Sequence, residues 1–216
     1  MRNDQNYFCD ERIWRYCLDH TKPESQRLLE LKHETYDSLH GSQMISETMV
    51  IKLIQFFVSS MAADICVDIG TFSGVSALAM AESSSRQTKI YTIDRPHQIG
   101  HDLAQRFIEA NGFEDKIITL IGDANDMIDR LPENIDFVFI DADKKQTRLY
   151  FDRLIDKVRA GGILLVDDVL WRGEVLDPVD KRAQALNDFN RYICEHPTVD
   201  NVLLPLRHGL NLIRKR

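Results

Sequence analysis

Two short acidic stretches carry the chemistry that the sequence offers most plainly: Phe139-Ile140-Asp141-Ala142-Asp143-Lys144 and Val166-Asp167-Asp168. Each closes an apolar run. If the runs are neighbouring strands, their ends lie roughly 5 Å apart. Asp141, Asp167 and Asp168 then share a space in which three carboxylates cannot all stay ionised without a compensating cation. A hard ion with oxygen ligands answers that need: magnesium, or alternatively manganese or calcium. On a regular strand Asp167 and Asp168 would face opposite sides. Both reach one ion only if the chain leaves the sheet there, and Leu170-Trp171-Arg172-Gly173 is compatible with such an exit. The competing reading is a structural salt-bridge cluster with Lys144, Lys145, Arg148 and Arg172. Lys144, three residues after Asp141, can reach a group held at the cation and act as its base if its surroundings depress its pKa. Trp171 is either a core filler or one wall of a pocket for a flat acceptor ring.

A second constellation is Val67-Asp68-Ile69-Gly70-Thr71-Phe72-Ser73-Gly74, a strand entering a turn with two glycines and then a helix. Glycine allows positive φ and close backbone approach to a ligand, although a tight turn without a ligand reads the same way. It lacks the middle glycine of the dinucleotide fingerprint. Asp94 ends the next run and could accept from both hydroxyls of a ribose, or simply cap the helix near Pro96. Gly122-Asp123-Ala124 ends the third and could meet an adenine through Asp123 and the backbone. Phosphate would be repelled by Asp68 and Asp94. A nucleoside bearing a cation fits better, and S-adenosylmethionine is such a molecule.

The elements that must position these residues follow a regular rhythm. Apolar runs at Ile65–Ile69, Ile90–Ile93, Ile117–Ile121, Ile135–Ile140 and Ile163–Val166 suit parallel strands buried on both faces. Between them Val75–Ala81, Ile99–Ala110, Ala124–Leu131 and Leu149–Val158 have helical spacing. This predicts a doubly wound α/β sheet whose strands all deliver an acidic residue to one rim. Ala183–Ile193 reads as a helix, and Val202–Leu206 with Leu210–Ile213 as an antiparallel pair, because so short a connection cannot make a parallel return. Ile51–Val58 reads as a helix before the sheet.

The bulk numbers suit one soluble domain: 216 residues, 44% hydrophobic and 28% charged, with a net charge of −7. That charge argues against wholesale attraction to nucleic acid or anionic membrane. No apolar run reaches the roughly 18–20 residues needed to span a bilayer. Cys9, Cys17, Cys66 and Cys194 form no metal or disulfide pattern and point to a cytoplasmic setting.

Together, Val67–Ser76 (VDIGTFSGVS), Gly122–Ala124, FIDADK at Phe139–Lys144, GGILLVDDVLWRG at Gly161–Gly173 and LPLRHGLNLIRKR at Leu204–Arg216 resemble the cation-dependent O-methyltransferases, the group of catechol and caffeoyl-CoA O-methyltransferases. The resemblance covers roughly residues 40–216 with Met44–Ser46 included. It implies the class I methyltransferase fold, with a seven-stranded, mostly parallel sheet ending in an antiparallel hairpin. It implies that Met44, Ser46, Asp68, Gly70, Ser76, Asp94, Ala124 and Asp141 surround S-adenosylmethionine, with Asp143 a further carboxylate on the cofactor side; Thr71 on the glycine turn and Asp123 at the third strand end complete the candidate cofactor set. Asp141, Asp167 and Asp168 would hold the metal, and Lys144 would be the base. Two departures stand out. The family usually has Asp-Asn at Asp167-Asp168, and often an aspartate at His208. An extra negative charge should tighten the hold on a cation, and the change at His208 points to a different acceptor. Residues 1–40 carry no match and read as a helical lid or homodimer contact, with 41–216 as the catalytic core of one domain.

The expected reaction is in-line attack of a hydroxylate on the sulfonium methyl, with Lys144 taking the proton. A vicinal diol on a small hydroxylated aromatic suits that geometry best, with Lys144 and Trp171 at the acceptor. Rival readings are methylation of a hydroxylated tRNA base, for which LIRKR would be the basic patch, and a cofactor-binding protein that does not transfer. A nicotinamide dehydrogenase would need the missing glycine fingerprint.

Overall fold

The computed structural model describes residues 8–96 and 99–216; the first seven residues of the expected N-terminal helical segment lie outside the described residues. Helices α1 (Glu11–Asp19), α2 (Gln26–Ser38) and α3 (Thr48–Ser60) precede β1 (Ile65–Ile69). Then follow α4 (Val75–Ser83), β2 (Lys89–Asp94), α5 (His101–Ala110), β3 (Ile117–Ile121), α6 (Ala124–Ile128) and β4 (Ile135–Ile140). The chain ends with α7 (Thr147–Leu154), β5 (Val158–Asp167), α8 (Lys181–Glu195), β6 (Val199–Leu204) and β7 (Leu210–Lys215).

The sheet has seven strands in the order β3-β2-β1-β4-β5-β7-β6. Strands β1 to β5 are parallel, while β7 inserts antiparallel between β5 and β6. The doubly wound arrangement with a closing antiparallel pair is the expected one. All six residues of β4 are buried, because both faces are covered. Phe137 and Phe139 point into the layer holding Ile51, Ile54 and Leu78, and Val138 and Ile140 into that of Phe151 and Phe189. The period of two divides one strand between two cores. Truncating a phenylalanine such as Phe139 to alanine would cost about 3–5 kcal/mol.

The connection reverses direction between β1 and β4, which opens a cleft beyond their carboxyl ends. Boundaries differ where tertiary pairing overrides local pattern. The helix expected over Leu149–Val158 ends at Leu154, and Val158 instead opens β5 by pairing with Ile135. The helix expected to Leu131 stops at Ile128. Strand β6 lies at Val199–Leu204 rather than Val202–Leu206, since Pro205 has no N–H to continue the ladder. Among the described residues no helix is long and apolar enough to cross a membrane, and the four cysteines are free thiols.

Candidate active site

The end of β1 is laced to both neighbours. Gly70 N–H donates to Ile93 O at 2.9 Å, and Asp141 N–H donates to Ile69 O at 2.9 Å. Gly70 has φ +114, and a Cβ there would overlap the Asp141 carbonyl oxygen. Only glycine lets the backbone turn this close to its neighbour. Asp68, expected on the rim, lies inside β1 beside Thr92 and is fully buried. Its Oδ2 accepts from Thr92 at 2.7 Å and Ser76 at 3.0 Å, while Oδ1 has no hydrogen-bond partner. Burial pushes its carboxyl up to about 7; the two hydroxyls oppose this, and the charges of Asp141 and Asp94 add to it. An unsatisfied, fully buried carboxylate oxygen directly beneath a glycine cradle fits a cationic ligand group above it.

Asp94 is not the N-cap of α5, which begins at His101 after Gly100. Its Oδ2 accepts from Phe72 N–H at 2.8 Å and its Oδ1 from Arg95 N–H at 2.8 Å, which ties the β2 end to the glycine turn. Asp123 is exposed, caps α6 through Asn125 N–H at 2.9 Å, and stands outside the cavity lining. Asp143 caps the turn at Lys144–Gln146 and pairs with Arg95 at 3.2 Å.

One cavity of about 640 Å³ runs over these strand ends, within the range of small-molecule sites. Met44, Ser46, Gly70, Thr71, Ser76, Asp94, Ala124, Asp141 and Asp143 line it, and so do Lys144, Asp168 and Trp171. Asp68 and Asp167 sit just behind the wall.

At the β4–β5 rim the three aspartates gather around an ammonium. Lys144 Nζ lies 2.5 Å from Asp141 Oδ1, 3.2 Å from Asp168 Oδ2 and 3.4 Å from the Asp167 carbonyl. Burial alone would lower the Lys144 pKa, yet the charges of Asp141, Asp168 and Asp167 prevail and raise it. That reverses the depressed pKa expected of a base. Burial and the like charges of Asp168 and Asp141 push Asp167 well above the usual carboxylate range. Asp168 is held below it: burial opposes this, but Lys144 and His208 outweigh burial. The chain does leave the sheet at Asp168, which has φ 62. Asp167 Oδ2 has no hydrogen-bond partner, and Asp168 Oδ1 has only His208 Nδ1 at 3.3 Å. Among the described residues no group of three or more His, Cys, Asp or Glu side chains is arranged as a metal site. The donor chemistry fits a hard cation all the same: the cluster is all carboxylate, and its buried Asp167 Oδ2 lacks a hydrogen-bond donor.

Sequence reasoning missed the hairpin loop's contribution. Arg207, on the β6–β7 turn, is buried and pairs with buried Glu47 at 3.3 Å, and it donates to Gln43 O at 3.2 Å. It thereby ties the segment carrying Met44 and Ser46 to the rim. The signal available was its position before His208-Gly209 at a strand turn, which says nothing of a partner 160 residues away in sequence (Glu47 to Arg207). Seven described non-glycine residues have positive φ, and Phe72, Asp168, Trp171, Arg172 and Arg207 among them line the cavity. Such strain, about 1–3 kcal/mol each, gathers at functional sites.

The profile of a family described as O-methyltransferase matches residues 18–216. A mouse protein named catechol O-methyltransferase domain-containing protein 1 is 30% identical over 216 residues, spanning 95% of this chain and 80% of that one. Caffeoyl-CoA O-methyltransferase 1 of Eucalyptus globulus is 32% identical over 77% of this chain and 70% of its own. An O-methyltransferase of Bacillus cereus solved in complex with SAH superposes with a TM-score of 0.83 at 25% identity, covering 94% and 96% of the two chains. An SAH-bound Podospora anserina methyltransferase gives a TM-score of 0.87 at 23% identity over 95% and 94%.

Proposed function

The chain belongs to the O-methyltransferase family, and from that premise we propose that it moves the methyl group of S-adenosylmethionine to one hydroxyl of a small vicinal-diol acceptor such as a catechol. The observation that carries this reading is the single cavity in which the glycine turn over Asp68 opens directly onto Lys144, Asp141 and Asp168. Cofactor and acceptor sites placed end to end are what in-line transfer needs.

Asp68 Oδ1 would face the cationic end of the cofactor, and Gly70 and Thr71 would offer backbone at the turn. Asp94 would receive ribose hydroxyls. Met44 and Ser46 would cover the cofactor from the segment that Arg207 anchors. Asp141, Asp167 and Asp168 would hold a divalent cation. When bound it would polarise the acceptor oxygens and offset the carboxylate charge that keeps Lys144 protonated. Lys144 Nζ as it stands is a donor, suited to hold a developing oxyanion in place; with that charge offset it would accept the hydroxyl proton. Trp171 would flank the acceptor ring.

The basic residues on which the tRNA reading rests are engaged within the fold. Arg214 and Arg216 both pair with Asp200, at 3.0 and 2.8 Å, and Lys215 Nζ donates to the carbonyls of Ile155 and Val158 at 2.7 Å. These residues end β7 far from the rim, where Leu210 pairs with Asp167. We read the chain as one cytoplasmic catalytic domain. Exposed Ile13 and Tyr16 on α1 are suited to a homodimer contact.

The test is methyl transfer from labelled S-adenosylmethionine to a catechol panel, with and without magnesium and chelator. Transfer that chelator abolishes and magnesium restores is expected. Undiminished transfer in chelator would remove the cation from the mechanism.

A further inference from the structure

Six cationic side chains line the cavity together with four carboxylates, those of Asp94, Asp141, Asp143 and Asp168. The carboxylates are taken. Lys144 pairs with both Asp141 and Asp168, Arg95 pairs with Asp143, and Asp94 accepts backbone N–H groups. Arg207 is taken by Glu47. Arg172 makes a contact of its own, which leaves two exposed cations on the cavity lining. Lys145 and Arg182 make no ion pair with any described residue, in a chain whose net charge is −7.

Their placement is fixed. Lys145 sits on the turn Lys144–Gln146, right after Lys144. Arg182 sits on the first turn of α8, which packs against that turn. The Arg182 guanidinium lies over the Trp171 ring at 6.0 Å from its centroid. Asp180, the neighbouring carboxylate, is engaged by the Arg182 and Ala183 backbone N–H groups and by Trp171. Cations without counter-ions repel one another, so their gathering around one mouth favours an anionic visitor.

We propose that the acceptor carries a carboxylate on its ring, received by Arg182 and Lys145, so that the substrate class is an ortho-dihydroxylated aromatic acid rather than a neutral catechol. This rests on the proposed function and adds to it a rule of selection. Arg182 offers the two parallel N–H groups that match a carboxylate, and Lys145 adds a point charge. The ring would lie against Trp171, with its diol toward Lys144.

The experiment is equilibrium binding to the protein loaded with S-adenosylhomocysteine and magnesium, comparing protocatechuate with its methyl ester, which has the same ring and diol but no charge. Two exposed charge contacts together are worth about tenfold in affinity, so the acid should bind about tenfold tighter. Raising the salt to about 1 M should shrink that ratio. The ratio should fall to about threefold in Arg182→Gln and in Lys145→Gln, and Arg182→Lys should keep more of it than Arg182→Gln. An ester that binds as well as the acid would overturn the proposal, as would a preference that survives both glutamine substitutions. Tight binding of the acid without methyl transfer would leave the selection rule standing and sink the proposed function instead. Binding of a coenzyme A thioester or an RNA hairpin in preference to the free acid would overturn the proposal.

Discussion

Replacing Asp68 by asparagine tests how the cradle is built. The carboxyl is fully buried, its Oδ1 lacks a partner, and burial moves its pKa from 3.8 to about 7. The folded chain therefore holds this proton more tightly than the unfolded chain does. The stability tied to it is fully present below about pH 4 and is lost as pH rises through about 7. A displacement of about three units is worth about 4 kcal/mol. Asparagine keeps the acceptor for Thr92 and Ser76 and cannot ionise. The cofactor-free Asp68→Asn protein should match the wild type near pH 4 and exceed it by up to about 4 kcal/mol near pH 8. With a urea slope of about 2 kcal/mol/M, the midpoints should separate by roughly 2 M. Urea denaturation of both proteins across that pH range, with no cofactor present, reads the difference. The same substitution should weaken S-adenosylmethionine binding, measured by titration calorimetry, because the charge facing the sulfonium end is gone. A stability gap that stays flat with pH, or an asparagine variant less stable than the wild type at pH 8, would refute the reasoning.

Gly70→Ala should cost more than about 3 kcal/mol, because positive-φ strain adds to an overlap with the Asp141 carbonyl. Thermal melts should show that loss, together with loss of the stabilisation that S-adenosylhomocysteine gives the wild type. Lys144→Met should lower kcat by about 100-fold or more. It should also make magnesium raise the melting temperature more than in the wild type, since the ammonium no longer competes for Asp141 and Asp168; an unchanged magnesium response would count against a shared site. Arg207→Met should destabilise the fold by about 3–5 kcal/mol, because Glu47 loses its buried cation. Adding Glu47→Gln should recover much of that loss in the same denaturation assay.

The strands were legible because burial on both faces demands unbroken apolar runs, and Ile135–Ile140 is such a run. The rim was legible because strand ends in a parallel sheet share one edge. Asp141, Asp143, Asp167 and Asp168 could be placed there from order alone. Residue periodicity could not say which acidic groups face the cavity. Asp68 is one pleat inside the sheet, and Asp123 turns outward to cap α6. Helix ends at Leu154 and Ile128 were set by β4–β5 pairing and loop closure, which act between residues distant in sequence.

Sequence by itself determined the sheet, the glycine turn and the acidic rim, since these follow from local spacing and burial. Only tertiary structure decided the charge state of Lys144, the clasp from Arg207 to Glu47, and the gathering of Lys145 and Arg182 on one cavity. Electrostatic energy depends on distance and burial in three dimensions, and neither is written in the order of residues along the chain.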